Sequence, residues 1–106
     1  MPKFLWQVSY MPEGAMGLLR EGGTSRREMV EKMLADHGGT LEAFYFAFGD
    51  DDVYVIADLP DQATAAAISL AVGAAGAARV KTTVLLAPEE IDRAAHTTVA
   101  YRAPGA

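Results

Sequence analysis

The residues of this chain that could perform acid–base or metal chemistry are few and far apart. Its two histidines are His37 and His96, and it contains no cysteine. No HxH or HxxxH spacing occurs, so a metal site would need ligands from distant segments or subunits. We therefore expect neither a metal nor a cofactor. His37, which ends a predicted helix, is interpreted as favoured there by the helix dipole, with a general acid or base as the alternative.

Asp58 is the acid whose position most suggests a function. It lies inside a predicted strand, between two apolar residues, on a face that we expect to be covered. Desolvation would perturb its protonation unless it had a partner, for which Lys81 and Tyr45 are candidates. Two interpretations of Asp58 remain open. It is either a general base, a role for which His37 is the other candidate, or a buried polar contact at a dimer interface.

Two further clusters resemble ligand sites but have simpler explanations. Residues 50–52, Asp-Asp-Asp, lack the alternating ligands and distal glutamate of an EF-hand loop, and aspartate is favoured in turns for backbone reasons. Residues 22–25, Gly-Gly-Thr-Ser, precede a predicted helix that bears Arg26 and Arg27 and could hold an anion. Because they lack the lysine of a P-loop and the spacing GxGxxG, we favour helix capping.

The element that must position these groups is a β-hairpin in the middle of the chain. Residues 41–48 and 53–59 are rich in aromatic and β-branched residues and flank the turn sequence Gly-Asp-Asp-Asp. A turn centred on Asp50 and Asp51 predicts three cross-strand pairs on one apolar face. The predicted pairs are Phe48 with Val53, Phe46 with Val55, and Phe44 with Ala57.

The opposite face of the hairpin is predicted to be mixed, because side chains alternate along a strand with a period of two. Its residues are Ala43, Tyr45, Ala47, Tyr54, Ile56 and Asp58. The solvated face of an antiparallel sheet is normally polar, so we expect something to cover this one.

Periodicity and capping signals predict the remaining elements. Alternating strands are expected over residues 3–10 and 79–86. The predicted helices span residues 15–20, residues 25–37 with a capping box of Ser25 and Glu28, residues 61–75 capped by Asp61, and a short segment from Pro88. The predicted inward stripes are Met29, Val30, Met33, Leu34 and His37 on the second helix and Ala67, Ile68, Ala71, Val72 and Ala75 on the third.

This order of elements is that of a ferredoxin-like βαββαβ fold of the α+β class. We predict a four-stranded antiparallel sheet in the order 4-1-3-2, with both main helices on one face. The other face would add Gln7, Ser9, Lys81 and Thr83 to the mixed set of the hairpin. We expect a second copy to cover it about a two-fold axis. The predicted interface residues are Tyr45, Ala47, Tyr54 and Ile56.

Length and charge limit the partners that this chain can have. Its 106 residues fit one domain, which we place at residues 1–96 with a C-terminal tail at 97–106. A net charge of −5, with 9 scattered basic residues, argues against nucleic acid and against an anionic membrane surface. Since neither a signal-peptide run nor a long apolar stretch occurs, we expect a cytoplasmic protein.

Several short segments of the chain occur together in one known family. They are residues 21–27 (EGGTSRR), Gly38 with Gly39, the aromatic strand 44–46, Gly49 with Asp52, 59–61 (LPD), Gly76, 80–83 (VKTT) and 88–90 (PEE). Jointly they resemble the GYD domain family, small proteins of the dimeric α+β barrel type. The chain departs from the family's eponymous tripeptide at Asp51, which replaces the tyrosine. The resemblance implies this fold and a dimer, and the family has no settled biochemical function.

Three functions remain open at this point. The first is a homodimeric small-molecule binding or sensing module, whose ligand contacts would be Tyr45, Tyr54, Gln7, Lys81 and Thr83. The second is a cofactor-independent isomerase or oxygenase with Asp58 or His37 as general base, an analogy based on fold alone. The third is a purely structural or interaction dimer. An Asp58 beside a cavity would favour the enzyme, and a fully paired Asp58 would favour binding or structure.

Overall fold

The computed structural model describes all 106 residues and contains four strands and four helices. In chain order the elements are β1 (Lys3–Tyr10), α1 (Pro12–Glu21), α2 (Gly23–Asp36), β2 (Thr40–Phe46), β3 (Val53–Asp58), α3 (Gln62–Ala75), β4 (Ala78–Leu85) and α4 (Pro88–Ala95). The strands form one antiparallel sheet in the order β2-β3-β1-β4, which confirms the predicted topology. The fold is α+β, and its element order is compatible with a ferredoxin-like fold.

The core lies between one face of the sheet and helices α2 and α3. The central strands contribute Phe4, Trp6, Val53, Val55 and Ala57, and the rest of the core comprises Leu34, Leu59, Ala65 and Ile68. The strand residues of this set alternate along the chain, as the period of two requires. Burial of each large side chain stabilises the fold by about 1.5–3 kcal/mol, so the core fixes which face of the sheet the helices cover.

The hairpin has the predicted faces but a different register. Val53 pairs with Phe46 and Val55 with Phe44, two residues away from the predicted partners. The connecting loop is longer than predicted, because the backbone N–H of Ala47 donates to the carbonyl of Asp52 and ends the ladder there. A shift of two residues preserves the faces. The predicted pair of Phe44 with Ala57 is also wrong, because a bulge between Leu41 and Ala43 places Leu41 opposite Ala57. Phe48, predicted to pair in the sheet, therefore lies in the loop with 86% of its surface exposed.

The predicted capping box of α2 is wrong, whereas the cap of α3 is confirmed. Helix α2 begins at Gly23 without a side-chain cap, and the Ser25 hydroxyl donates to the Glu21 carboxylate at 3.2 Å instead. The chain turns from α1 into α2 through Gly22, whose positive φ of 86° favours glycine. At α3 the Asp61 carboxylate accepts from the backbone N–H of Thr64 at 2.8 Å.

Helix α3 presents a different stripe to the sheet from the one predicted. Ala65 and Ile68 are buried, Ser69 and Val72 are half-buried, and the predicted Ala67, Ala71 and Ala75 are exposed. Hydrogen bonds of Ser69 explain the difference. The Ser69 hydroxyl lies 2.6 Å from that of Thr82 and accepts from the Trp6 indole N–H at 3.1 Å. The predicted stripe does not include Ser69, because serine is polar, whereas these hydrogen bonds turn Ser69 toward the sheet.

Helix α4 and the residues after it lie at the exposed end of the chain. Helix α4 begins at Pro88 as predicted, and the Glu90 carboxylate accepts from the backbone N–H of Ala87 at 2.9 Å. It has no buried residue, and Val99 and Tyr101 beyond it are largely exposed. No helix of the structure combines the length and the apolar character that a membrane crossing requires.

Helix α1 starts three residues earlier than predicted and packs closely against the start of β4. A Cβ at Gly14 would lie 2.2 Å from the carbonyl oxygen of Ala77, whereas one at Gly17 would have no neighbour within 4 Å. We expect Gly14→Ala to destabilise the fold by about 1–3 kcal/mol, because backbone atoms must move apart. Gly17→Ala, on the same helix, should stabilise it by up to about 1 kcal/mol. Urea midpoints of the two variants test this, and equal midpoints would contradict the close approach.

Candidate functional site

The sheet face away from the helices brings most of the predicted site residues into one row. The register places Tyr45 beside Tyr54, Tyr54 beside Gln7, and Gln7 beside Lys81, one residue from each strand. The next row consists of Ala43, Ile56, Leu5 and Thr83. The predicted grouping of Tyr45, Tyr54, Gln7, Lys81 and Thr83 thus exists as a surface. We call it the open face.

Asp51 lies over one end of the open face, where its carboxylate contacts three polar side chains. Its carboxylate accepts from the Ser9 hydroxyl at 2.9 Å and the Gln7 amide at 3.1 Å, and it pairs with the Lys81 ammonium at 3.0 Å. Only 3% of its surface is exposed. Sequence reasoning placed Asp51 in a turn and missed this role. The available signal was the position itself, where the family resemblance leads one to expect a tyrosine.

The contacts of Asp51 determine its protonation. The Lys81 ammonium first, and then the Ser9 hydroxyl, hold the pKa of the Asp51 carboxyl below its usual range. Reciprocally, the hydrogen bond to Asp51 raises the pKa of Lys81. Both groups are charged at neutral pH, and the loop is held to β1 and β4 by an ion pair as well as by hydrogen bonds. The neighbouring Asp52 adds a second tie, accepting from the backbone N–H of Tyr10 at 2.8 Å.

We expect Asp51→Asn to be less stable than the wild type at pH 7, with a difference that depends on pH. A carboxyl whose folded pKa is lower than its unfolded value of about 3.9 contributes stability above that value. This contribution is lost as the pH falls through the folded pKa. Urea midpoints between pH 2.5 and 7 should therefore converge at the acid end. Asp50→Asn is the control, because Asp50 is exposed. A pH-independent difference would contradict the ion pair.

Asp58 has a partner, but not one of the two predicted. Its carboxylate binds the Lys3 ammonium at 3.0 and 3.1 Å, and the same ammonium also contacts Glu42. The prediction of Lys81 or Tyr45 is wrong because Lys3 is the direct cross-strand neighbour of Asp58. The Asp58 side chain remains 27% exposed, so water reaches the pair. Its bonds are those of a structural ion pair.

The histidines lie away from the open face. His37 is exposed just after α2, with Nδ1 2.8 Å from the carbonyl oxygen of Met33. His96 occupies the same position after α4, with Nδ1 2.8 Å from the carbonyl oxygen of Asp92. Neither bonds to Asp58, so the structure does not unite the two candidate bases. It also gathers no group of three or more histidine, aspartate or glutamate side chains that could hold a metal ion.

A cavity that the sequence did not predict lies on the helix side of the sheet. Its volume is about 80 Å³, and 13 of its 15 lining residues are hydrophobic. The sheet contributes Trp6, Val8, Tyr10, Phe44, Val53, Val55, Ala78 and Val80, and the helices contribute Arg26, Met29, Val30, Met33, Ile68, Ser69 and Val72. We call it the helix-side cavity.

The placement of the two helices explains this cavity. Helix α2 packs mainly on β2 and helix α3 mainly on β4, the two edge strands. Neither helix makes its main contact with the central strands β1 and β3, so a gap remains between the helices above these strands. Helix α3 consists largely of alanine and glycine, which are too small to fill that space. An unfilled volume over the middle of the sheet follows from these two facts.

The polar side chains that line the helix-side cavity are those of Trp6, Tyr10, Arg26 and Ser69. The Trp6 indole and the Ser69 hydroxyl bond to each other, and Ser69 also contacts Thr82. Arg26 forms no ion pair in the structure. Beside it, burial raises the pKa of the Tyr10 phenol, an effect that the nearby Arg26 charge opposes. The guanidinium is the one charge at an otherwise apolar cavity.

The helix-side cavity adjoins a wider outer cleft against α1. This cleft has a volume of about 360 Å³ and shares Tyr10, Arg26, Met33, Val72 and Ala78 with the cavity. Its further lining includes Glu13, Glu21 and Leu18. Arg26 thus stands at the junction of an apolar inner space and an outer space that contains two acids.

Comparison with known proteins identifies the family without adding a function. No curated protein and no solved structure matches the chain. The family model described as GYD domain matches residues 4–95, which is most of the chain and includes all four strands except the first residue of β1, Lys3. The resemblance noted from short segments is thereby confirmed. This chain belongs to the GYD domain family.

Proposed function

We propose that this protein is a homodimeric small-molecule binding module whose ligand occupies the helix-side cavity. The observation that supports this most is the cavity itself, with its almost wholly apolar lining and a single charge. Pockets of this composition, apolar with few polar groups to orient a ligand, are the common form of small-molecule sites. The location differs from the sequence-based prediction, which placed the ligand among Tyr45, Tyr54, Gln7, Lys81 and Thr83.

The size of the cavity supports an organic ligand. A buried water needs about 10–15 Å³, and an apolar cavity of about 150 Å³ accepts benzene. The helix-side cavity, at about 80 Å³, lies between these limits. Since its walls offer water few hydrogen bonds, an apolar group there would replace solvent at a gain of about 25 cal/mol per Å² buried.

The open face is better suited to a second copy of the chain than to a ligand. Its polar residues Gln7, Ser9 and Lys81 are already bonded to Asp51. Its other half presents Tyr45, which is 71% exposed, and the half-buried Ile56. A two-fold axis would bring these apolar halves together and remove them from water. The proposed interface comprises Tyr45, Ala47, Tyr54 and Ile56.

The contacts of Asp58 favour binding over turnover. A general base must be free to accept a proton from a substrate. Asp58 is instead held by Lys3, and it is absent from the lining of the helix-side cavity. His37 is absent from that lining as well. We therefore place the isomerase or oxygenase alternative second, and no reaction step is assigned to these residues.

Ligand binding in the helix-side cavity can be tested with a small alcohol and with a variant whose larger side chain fills the cavity. Trp6 is the only tryptophan and lines the cavity, so its fluorescence reports on occupancy. We expect 3-methyl-1-butanol to change this fluorescence saturably and to raise the melting temperature by mass action. Val72→Phe, which fills the cavity, should weaken binding at least about tenfold, equivalent to about 1.4 kcal/mol.

Leu70→Phe is the matched control, because Leu70 is on the same helix but 74% exposed and outside the cavity lining. It should bind the alcohol as the wild type does. A fluorescence change that does not saturate, or equal binding by the two variants, would exclude the helix-side cavity as the ligand site.

The dimer is tested at Ile56. Ile56→Glu would place two carboxylates near the two-fold axis, where an unpaired buried charge costs several kcal/mol. We expect a dimeric wild type and a monomeric or aggregated variant by light scattering at micromolar concentration. Leu19→Glu, at a position 86% exposed on α1, should remain dimeric. A monomeric wild type would contradict the proposed assembly without affecting the cavity.

A further inference from the structure

We infer that the ligand is a small branched aliphatic monocarboxylic acid, bound with its apolar group in the helix-side cavity and its carboxylate on Arg26. This inference rests on the proposed function and specifies the chemical class of ligand for the same site. It follows from three features of the site: the unpaired charge of Arg26, the acids of the outer cleft, and the cavity volume.

The first feature is that Arg26 lacks an anion. Arg27, the next residue, lies 3.9 Å from Glu31, and the lysines Lys32 and Lys81 are each paired with an aspartate. Arg26 is half-buried at an apolar cavity without such a partner. A partly desolvated charge is costly when unpaired, and the planar guanidinium binds a carboxylate through two parallel hydrogen bonds. A bound carboxylate would supply the missing partner.

Tyr10 supplies a second polar group at the same place. It lines both the helix-side cavity and the outer cleft, as Arg26 does. Burial raises the pKa of its phenol, so the hydroxyl remains protonated at neutral pH. A protonated phenol can donate a hydrogen bond to a carboxylate held by the guanidinium. The two groups together favour an anionic oxygen over a neutral carbonyl.

The second feature is the pair of acids in the outer cleft, which limits the charge of the ligand. Glu13 and Glu21 line the space beyond Arg26. A ligand with a second carboxylate or a phosphate would place additional negative charge toward them, and like charges at short range repel. One negative charge can be neutralised by Arg26, and a second has no cation nearby in the cleft lining. The site therefore favours a monoanion.

The third feature is volume, which limits the apolar group. About 80 Å³ is roughly half of the cavity that accepts benzene, and in proportion this holds a branched group of about three carbons, such as the isopropyl end of a longer chain. The lining includes Val30, Val55, Ile68 and Val72, aliphatic side chains that pack well against methyl groups. We choose 4-methylpentanoate as the probe and 4-methylpentanamide as its uncharged counterpart.

The experiment compares these two probes by Trp6 fluorescence titration at low salt and pH 7. In the wild type we expect the carboxylate to bind at least about tenfold more tightly than the amide. Arg26→Gln should remove that preference and leave the affinity for the amide unchanged. Arg26→Lys should keep part of the preference for the carboxylate, because the ammonium retains the positive charge but lacks the paired N–H groups of the guanidinium. Arg27→Gln, the neighbouring arginine, should bind both probes as the wild type does.

The outcomes separate the ligand class from the site. Equal binding of the two probes by the wild type would overturn the carboxylate and leave the cavity standing, and this comparison requires no variant. A loss of both probes in Arg26→Gln would show a structural role for Arg26 and would also overturn the inference. If neither the probes nor 3-methyl-1-butanol bind to the wild type, the proposed function falls as well. Circular dichroism of each variant establishes that it is folded.

Discussion

The alternation of side chains along the two central strands is the constraint on which the rest of the structure depends. In β1, Phe4 and Trp6 face the helices while Lys3 and Gln7 face the other way. Strand β3 repeats the division, with buried residues at every second position. The core, the helix-side cavity and the open face are therefore built from the same two strands. A change of register by one residue would exchange the two faces completely.

Helix placement then determines what each face can do. Because α2 and α3 lie over the edge strands, the core between them is incomplete, and the gap has Trp6, Val53 and Val55 as its floor. The buried side chains of Leu34 on α2 and Ile68 on α3 stabilise the fold on either side of this gap. The space above the central strands can therefore remain unfilled with only a local loss of packing. A protein interior normally approaches crystalline packing density, so an unfilled apolar space of this size is a departure that a ligand would remedy.

The topology was predictable from periodicity, whereas the cavity and the contacts of Asp51 were not. Alternating residues predicted the strands and their order, and Asp61 predicted the start of α3. The register depended on where the loop closes, through the bond from Ala47 to Asp52, which leaves no periodic signal. The inward turn of Ser69 depended on Trp6 and Thr82, residues far apart in the sequence. Such features are set by tertiary contacts that no local pattern encodes.

The distribution of paired and unpaired charges separates the roles of the two faces. On the open face, each buried polar atom is satisfied within the chain: Asp51 uses Ser9, Gln7 and Lys81. Asp51, which stands where the family resemblance leads one to expect a tyrosine, is paired with Lys81 and therefore offers no unmet charge for a ligand to neutralise. On the helix side, Arg26 lies at an apolar cavity without an acid within ion-pair distance. An ion pair such as that of Asp51 and Lys81 can be desolvated on association without leaving either charge unpaired. A cavity with one unneutralised charge is suited to a ligand that brings the opposite charge.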